Sequence, residues 1–478
     1  MSARKEADES IASGQCSEEL SIGATLRKAL AWIFDDRIFG DLKLHGNTKW
    51  LPVTLVTLAV FWVWSAEPTL TGAFREAARW TKDILGDLPI TTYQGLTAAL
   101  MTWTSQLLPL LRQRLQKRMH ECGGEQWRVS GWVALAVDGT RVSTPRSVSN
   151  EQAFCAPNFG KSKTAKYRKK KRRPCRRKQR PAEPVKPQMW LTLVWHMGLG
   201  LPWTWKSGPS HACERDHFRA LLEEQEFPEN TLFCADAGFT GYDLWRDILA
   251  AGHSFLIRVG ANVRLLRRLG YVREFEGLVY FWPDKAARKK KLPPLVLRLW
   301  QVQLGRCVMS LVTNVLDDEK MAAAQVKELY RRRWGIELQF RTLKQTFGRR
   351  KLRSKSPKRA YAELDWSLLG LWMIQLFAVK ERIKLGEPPT TSSAAMAIRI
   401  MREMLDRQHE TTPPERELTV LLGAAATDNY QRKRSKRARY RPNYKDKPAA
   451  GAPKIFEAQA KDKRDLRKYQ AFIADQNR

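Results

Sequence analysis

The chain has no closely spaced cysteine pair: its seven cysteines, at positions 16, 122, 155, 175, 213, 234 and 307, form no CxxC. That sets aside a disulfide framework and leaves reduced thiols of a cytosolic protein as the expectation. His211, Cys213, His217 and Cys234 lie close in sequence, but their spacing matches no usual zinc ligand set. No secretory leader is expected, since residues 1–20 are polar and acidic with no apolar run. The apolar segment LPVTLVTLAVFWVWSA (51–66) is shorter than the roughly 20 residues a membrane span needs, and it contains Pro52. It reads as a buried helix of an N-terminal domain, and no membrane partner is expected.

Acid is heavily outnumbered by base. Among 478 residues, 84 Lys and Arg face 49 Asp and Glu, a net charge of +35. The tract KSKTAKYRKKKRRPCRRKQR (161–180) holds 13 of the cations and no acid, which still leaves +22 for the remainder. A charge of this sign and size calls for a polyanionic partner, with nucleic acid favoured over an acidic membrane surface.

Against that shortage, three acids occupy conspicuous places. GWVALAVDGTRV (131–142) is an apolar run reaching Asp138-Gly139-Thr140, and NTLFCADAGFTGYDLW (230–245) is another reaching Asp236-Ala237-Gly238-Phe239. Both read as buried strands that stop at an acid followed by a turn-making Gly, a placement that lets a rigid sheet position the carboxylate. Asp-Gly after a strand is also a common plain turn. The third acid, Glu337, lies in ELYRRRWGIELQFRTLKQTFG (328–348), which reads as one helix. At about 100° per residue, spacings of three, four and seven put Tyr330, Arg333, Glu337 and Lys344 on one face. That face carries an acid, a phenol and two cations where an amphipathic helix would carry Leu and Ile. A Glu and Arg four apart also occur as an ordinary solvated pair.

Taken together, these residues resemble the bacterial DDE transposases of the insertion-sequence-four group. The group signature of Tyr, two residues, Arg, three residues, Glu, six residues, Lys is present as Tyr330, Arg333, Glu337 and Lys344. Asp138-Gly-Thr and Asp236-Ala-Gly-Phe resemble the group's first and second acid motifs, and Pro145, Asn150 and Asn158-Phe159-Gly160 its usual connection. Recognisable motifs run from about 131 to about 384. The resemblance implies a cut-and-paste transposase that binds double-stranded DNA at transposon ends and target, as a homodimer in its synaptic complex, associated with the nucleoid in the cytoplasm. It also implies that Tyr330, Arg333, Arg341 and Lys344 contact DNA. A hairpin intermediate with one flipped base is implied as well, for which Trp282 and Trp300 are candidates, although core packing explains each of them too.

The expected fold class is α/β: a ribonuclease-H-like catalytic core interrupted by a β-strand insertion domain, with helical N-terminal and C-terminal regions. Residues 1–21 read as a disordered tail. Residues 22–130 read as a helical domain that either binds DNA through its basic end, Arg112 to Arg118, or simply packs on the core. Strand, hairpin (190–208), helix (214–225) and strand over 131–252 form the first part of the core, with a basic, Pro-rich insert at 161–188 expected to be disordered and to track phosphates. Four strand-like runs between 253 and 322 make the insertion domain, 323–384 completes the core with the catalytic helix, and 385–478 is helical and then basic.

Phosphodiester chemistry explains the three acids. Two hard divalent ions, Mg²⁺ or Mn²⁺, take carboxylate oxygens and clamp the attacking and leaving oxygens of an in-line displacement. Asp138, Asp236 and Glu337 are the candidate catalytic and metal-binding residues, with Asp138 shared between the ions. Two other readings remain open: a related-fold DNA nuclease that cuts without strand transfer, and a domesticated DNA-binding protein without transposition activity. The second is disfavoured because all three acids are intact.

Overall fold

The computed structural model describes residues 21–44, 46, 48–155, 186–304, 307–413, 416–427 and 451–476. The basic tract 161–180, Asn158-Phe159-Gly160, residues 1–20 and the basic stretch 432–447 lie outside the described residues.

Four helices open the chain: α1 (Ile22–Ile33), α2 (Pro52–Trp64), α3 (Leu70–Leu85) and α4 (Tyr93–Gly123). Ser21, Thr69 and Thr92 cap α1, α3 and α4 by accepting the N–H groups of Ala24, Gly72 and Gly95. The core follows as β1 (Val133–Ser143), α5 (Val148–Phe154), β2 (Gln188–His196), β3 (Leu201–Pro209), α6 (Glu214–Glu224), β4 (Thr231–Ala235), α7 (Tyr242–Ala250) and β5 (Ser254–Val259). Next come β6 (Arg264–Arg267), β7 (Leu278–Phe281), β8 (Leu295–Leu304) and β9 (Cys307–Thr313). The chain continues with α8 (Ala323–Arg332), α9 (Gly335–Gln345), α10 (Pro357–Lys384), α11 (Ala394–Asp406), α12 (Leu418–Gly423), β10 (Lys454–Glu457) and α13 (Ala460–Gln476).

The ten strands form one sheet in the order β10-β6-β7-β8-β9-β5-β4-β1-β2-β3. Its first five strands stand in the order 3-2-1-4-5, with β2 antiparallel to β1 and β3 and with β1, β4 and β5 parallel, which is the ribonuclease-H-like arrangement. All five residues of β4 and the first five of β1 are buried, as befits parallel strands covered on both faces.

Two domain boundaries are corrected. Ser254–Val259, read above as the start of the insertion, is the fifth strand of the core and pairs in parallel with β4. The inserted strands then extend the core sheet without a break, because β9 pairs antiparallel with β5 from Leu256↔Thr313 to Val259↔Ser310. The C-terminal region also contributes β10, which pairs with β6. Alternation marks a strand, but it does not say which edge the strand joins.

The helical regions surround α10, whose central residues are buried on every side, including Trp366, Trp372 and Ile374. Among the described residues α10 is the one helix long and apolar enough to cross a membrane, and 94% of that apolar stretch is buried inside the protein. The N-terminal helices pack on the core. Trp64 Nε1 donates to the Gly370 carbonyl at 2.9 Å, and Trp366 Nε1 donates to Thr104 Oγ1 at 2.8 Å. Gly370 is required by this contact, since a Cβ there would lie 2.5 Å from the Val63 side chain. From the other end, the Gly23 N–H bonds the Gln408 carbonyl at 3.0 Å, so N- and C-terminal helices share one bundle.

Candidate active site

The β1–β4 ladder ends at Val137↔Ala235, so Asp138 and Asp236 are the next residue on each of two adjacent parallel strands. At this point burial along β1 changes from complete to partial. β4 stops as expected, and Asp236 caps a short turn by accepting the Gly238 N–H at 2.7 Å. β1 does not stop. It runs through Asp138 to Ser143, held by β2 from Asp138↔Leu193 to Ser143↔Gln188. Gly139 is therefore a strand residue, and its lack of a side chain serves a close approach. A Cβ there would sit 2.7 Å from Glu214 Oε2 and 3.0 Å from the Trp190 ring.

The expected single helix over 328–348 is two helices. α8 ends at Arg332, Arg333 and Trp334 form a turn, and α9 begins at Gly335. Across the turn the bonds tighten to the i→i−3 type, with Trp334 N–H to Arg331 O at 3.3 Å and Glu337 N–H to Trp334 O at 3.1 Å. The Trp195 ring of β2 presses on Gly335 so closely that any Cβ would overlap it. Glu337 and Lys344 share α9, whereas Tyr330 and Arg333 belong to the preceding segment.

The break alters the part each signature residue plays. Arg333 is 4% exposed, and its Nη1 lies 3.7 Å from Asp138 Oδ2, while Nε and Nη1 have no hydrogen-bond partner. Tyr330 is 1% exposed, with the Arg333 guanidinium 5.3 Å from its ring centroid. Its buried ring offers no free face on which a base could stack. Lys344 Nζ donates to Thr140 Oγ1 at 2.6 Å, tying α9 to β1 two residues beyond Asp138. Glu337 and Arg341 are exposed. A cleft of about 550 Å³ is lined by Asp138, Gly139, Thr140, Glu337, Arg341, Lys344 and Arg350 among others.

Charge in the cleft is poorly balanced. Burial pushes the Asp138 carboxyl up to about 6, Asp236 and Glu337 add to the rise, and the Gly139 N–H and Arg333 oppose it. Glu214, unnoticed in the sequence, is pushed up to about 7 by burial and by the charges of Asp236 and Asp138. Burial and the neighbouring Arg350 lower Lys344. Nothing in the spacing of residues 214–225 marked Glu214, which joins the site only because α6 starts beside both strand ends. Trp334 and Leu338 were also missed. They are 48% and 54% exposed and line a groove of about 740 Å³ with Glu337 and Arg341. Trp282 is nearly buried and donates to the Leu292 carbonyl at 2.8 Å, and Trp300 lies under the Arg298 guanidinium at 4.4 Å.

Among the described residues no group of three or more His, Cys, Asp or Glu side chains is gathered tightly enough to hold an ion as it stands. The donor chemistry nevertheless fits a hard cation, because the cleft offers carboxylate oxygens without thiolate or imidazole. Uncompensated carboxylates of like charge are what a divalent ion would draw together.

The comparison with known families decides the membership. Residues 131–373 match the transposase DDE domain. The chain belongs to that family. This DDE-domain protein is also 29% identical over 293 residues to the transposase InsG for insertion sequence element IS4 of Escherichia coli (strain K12), a match covering 58% of this chain and 60% of the relative. The match thus spans less than two thirds of that relative's length. Among solved structures, a piggyBac transposase synaptic complex with hairpin DNA aligns over 84% of this chain and 86% of its own, at 10% identity and a TM-score of 0.36.

Proposed function

We propose that this DDE-domain protein is a cut-and-paste DNA transposase that cleaves double-stranded DNA at transposon ends and joins the freed 3′ ends to a target. The observation that carries the reading is the meeting of Asp138 and Asp236 at the end of one parallel ladder, with Asp138 and Glu337 lining one cleft rimmed by Lys344, Arg341 and Arg350. Asp138, Asp236 and Glu337 would hold two divalent ions, Mg²⁺ or Mn²⁺. Asp138, which ends the ladder beside Asp236 and lines the cleft with Glu337, would be the shared member. When bound, such ions supply Lewis-acid charge to the attacking and leaving oxygens of a phosphodiester displacement.

The chain's own residues position the DNA. Arg333, buried with unpartnered nitrogens, is set to take a phosphate oxygen beside Asp138, and Tyr330 supports its guanidinium from beneath. Lys344 is steered into the cleft by Thr140. Arg341 and Arg350 extend the cationic rim along the backbone path. The exposed pair Trp334 and Leu338 offers an unpaired base a surface beside Glu337, in a more accessible place than Trp282 or Trp300. A homodimer would bring two ends together, and action on the bacterial nucleoid follows from the substrate.

The test is cleavage of a donor plasmid carrying the gene's own flanking DNA with Mg²⁺, comparing wild type with Glu337→Gln. Excised donor and joined product from wild type alone support the reading. Nicking without joining favours a nuclease of the same fold, and binding without cleavage leaves a DNA-binding descendant.

A further inference from the structure

We propose that Glu214 is a fourth carboxylate of this site, a positioning residue that spans the gap between the two strand-borne acids and holds the water shell of the cation bound there. The inference rests on the metal assignment above and extends it to a residue outside the three-acid set.

The first argument is placement. Glu214 is the first residue of α6, and its two oxygens reach the two glycines that follow the acids. Oε2 lies 2.7 Å from where a Cβ of Gly139 would be, and Oε1 lies 2.6 Å from where a Cβ of Gly238 would be. One carboxylate thus bridges the Asp138-Gly and Asp236-Ala-Gly motifs, and a side chain at either glycine would push it out. The glycines keep open a space that a simple turn would not need.

The second argument is the lack of a partner. Among the described residues no hydrogen bond or ion pair to the Glu214 carboxylate is found, although the side chain is only partly exposed. Other withdrawn acids are answered: Glu363 accepts the N–H groups of Arg353 and Ser354, and Asp365 accepts Trp205 Nε1 at 2.8 Å. Neighbouring Arg215 turns away to the Thr240 carbonyl at 3.0 Å. A carboxylate poised over two other acids without a donor lacks a positive or hydrogen-bonding ligand. Arg333, 4% exposed, with Nη1 3.7 Å from Asp138 Oδ2 and neither Nε nor Nη1 hydrogen-bonded, marks the same space as built for a ligand. A cation with bound water would give Glu214 the donors that the protein withholds, and Glu214 would in turn fix the orientation of that water.

The alternative is that Glu214 merely favours the positive end of α6, a role that would stabilise the helix and leave metal affinity unchanged. Calorimetric titration of the full chain with Mn²⁺, without DNA, separates the two. Wild type, Glu214→Gln, Glu214→Asp and Asp138→Asn are compared, and the Mg²⁺ concentration giving half-maximal plasmid cleavage is recorded for each. The expected result is Mn²⁺ affinity lowered about 10- to 100-fold in Glu214→Gln, partial recovery in Glu214→Asp, and a raised Mg²⁺ requirement in the same order. Wild-type affinity in Glu214→Gln alongside lost binding in Asp138→Asn overturns the role of Glu214 and leaves the three-acid site standing. Unchanged binding in both variants overturns both.

Discussion

Glu363 and Asp138 are two acids withdrawn from water in a strongly basic chain, and their surroundings differ in one respect: supply of donors. Both oxygens of Glu363 accept the Arg353 N–H at 3.1 Å, and one also accepts the Ser354 N–H at 2.8 Å. The loop so gathered returns to β1 through Leu352 N–H to Ser143 O at 2.8 Å and is fastened to α5 through Asn150 Nδ2 to Ser354 O at 3.1 Å. Asp138 receives one backbone N–H, a guanidinium at 3.7 Å and the fields of two further acids. A withdrawn charge that is fully answered holds the fold together, whereas one left short of donors awaits a ligand.

The strongest way to break this contrast is Asp138→Asn. Loss of a carboxylate that holds the ions should lower strand cleavage about 10³-fold or more, while the thermal midpoint holds or rises. A fall in midpoint would put Asp138 among the structural acids. The converse is Glu363→Ala, which strands two buried N–H groups and frees the loop at 349–355. A loss of about 3 kcal/mol is expected, seen as a lower denaturation midpoint, and an unchanged midpoint would remove Glu363 from its structural part.

Acidity sharpens the comparison further. Folded Asp138 keeps its proton up to about pH 6, whereas the unfolded carboxyl releases it near 3.8. Between these values the folded form binds more protons, so metal-free stability falls as pH rises through the window and stays lower above it. The drop from Asp138 should be about 1–3 kcal/mol, measurable by denaturant titration in chelator, and Asp138→Asn should reduce the fall while Glu214, raised to about 7, keeps its own share. The smallest effect concerns the rim. Arg341→Ala should weaken DNA binding evenly across sequences and reduce the slope of log K against log salt by about 1. A change confined to one sequence would show that Arg341 reads bases.

Legibility followed the range of the interactions involved. The apolar runs before Asp138 and Asp236, the hairpin at 190–208 and the helix after it are local patterns, and each appears as an element in the structure. The helix break at Arg333–Trp334 was not legible, because a lone Gly such as Gly335 is tolerated inside a helical pattern and the Trp195 ring that packs on it comes from more than a hundred residues earlier. Tyr330 was placed on one face with Glu337 and Lys344 by that same straight helix, and is instead buried on the preceding helix. β5 was grouped with the inserted strands because its alternation resembles theirs, whereas its partner β4 makes it core.

By itself the sequence singled out the candidate residues, Asp138, Asp236, Glu337 and the cations at fixed intervals from Glu337, within a chain whose excess positive charge favours a polyanionic partner. Those features are written in covalent order and in the period of helix and strand. Tertiary structure alone decided that Asp138 and Asp236 stand side by side, that Arg333 turns inward while Arg341 stays outside, and that Glu214 lies across two glycines. The physical reason is that strand register and close backbone approach depend on contacts between distant segments, whose energies no local pattern encodes.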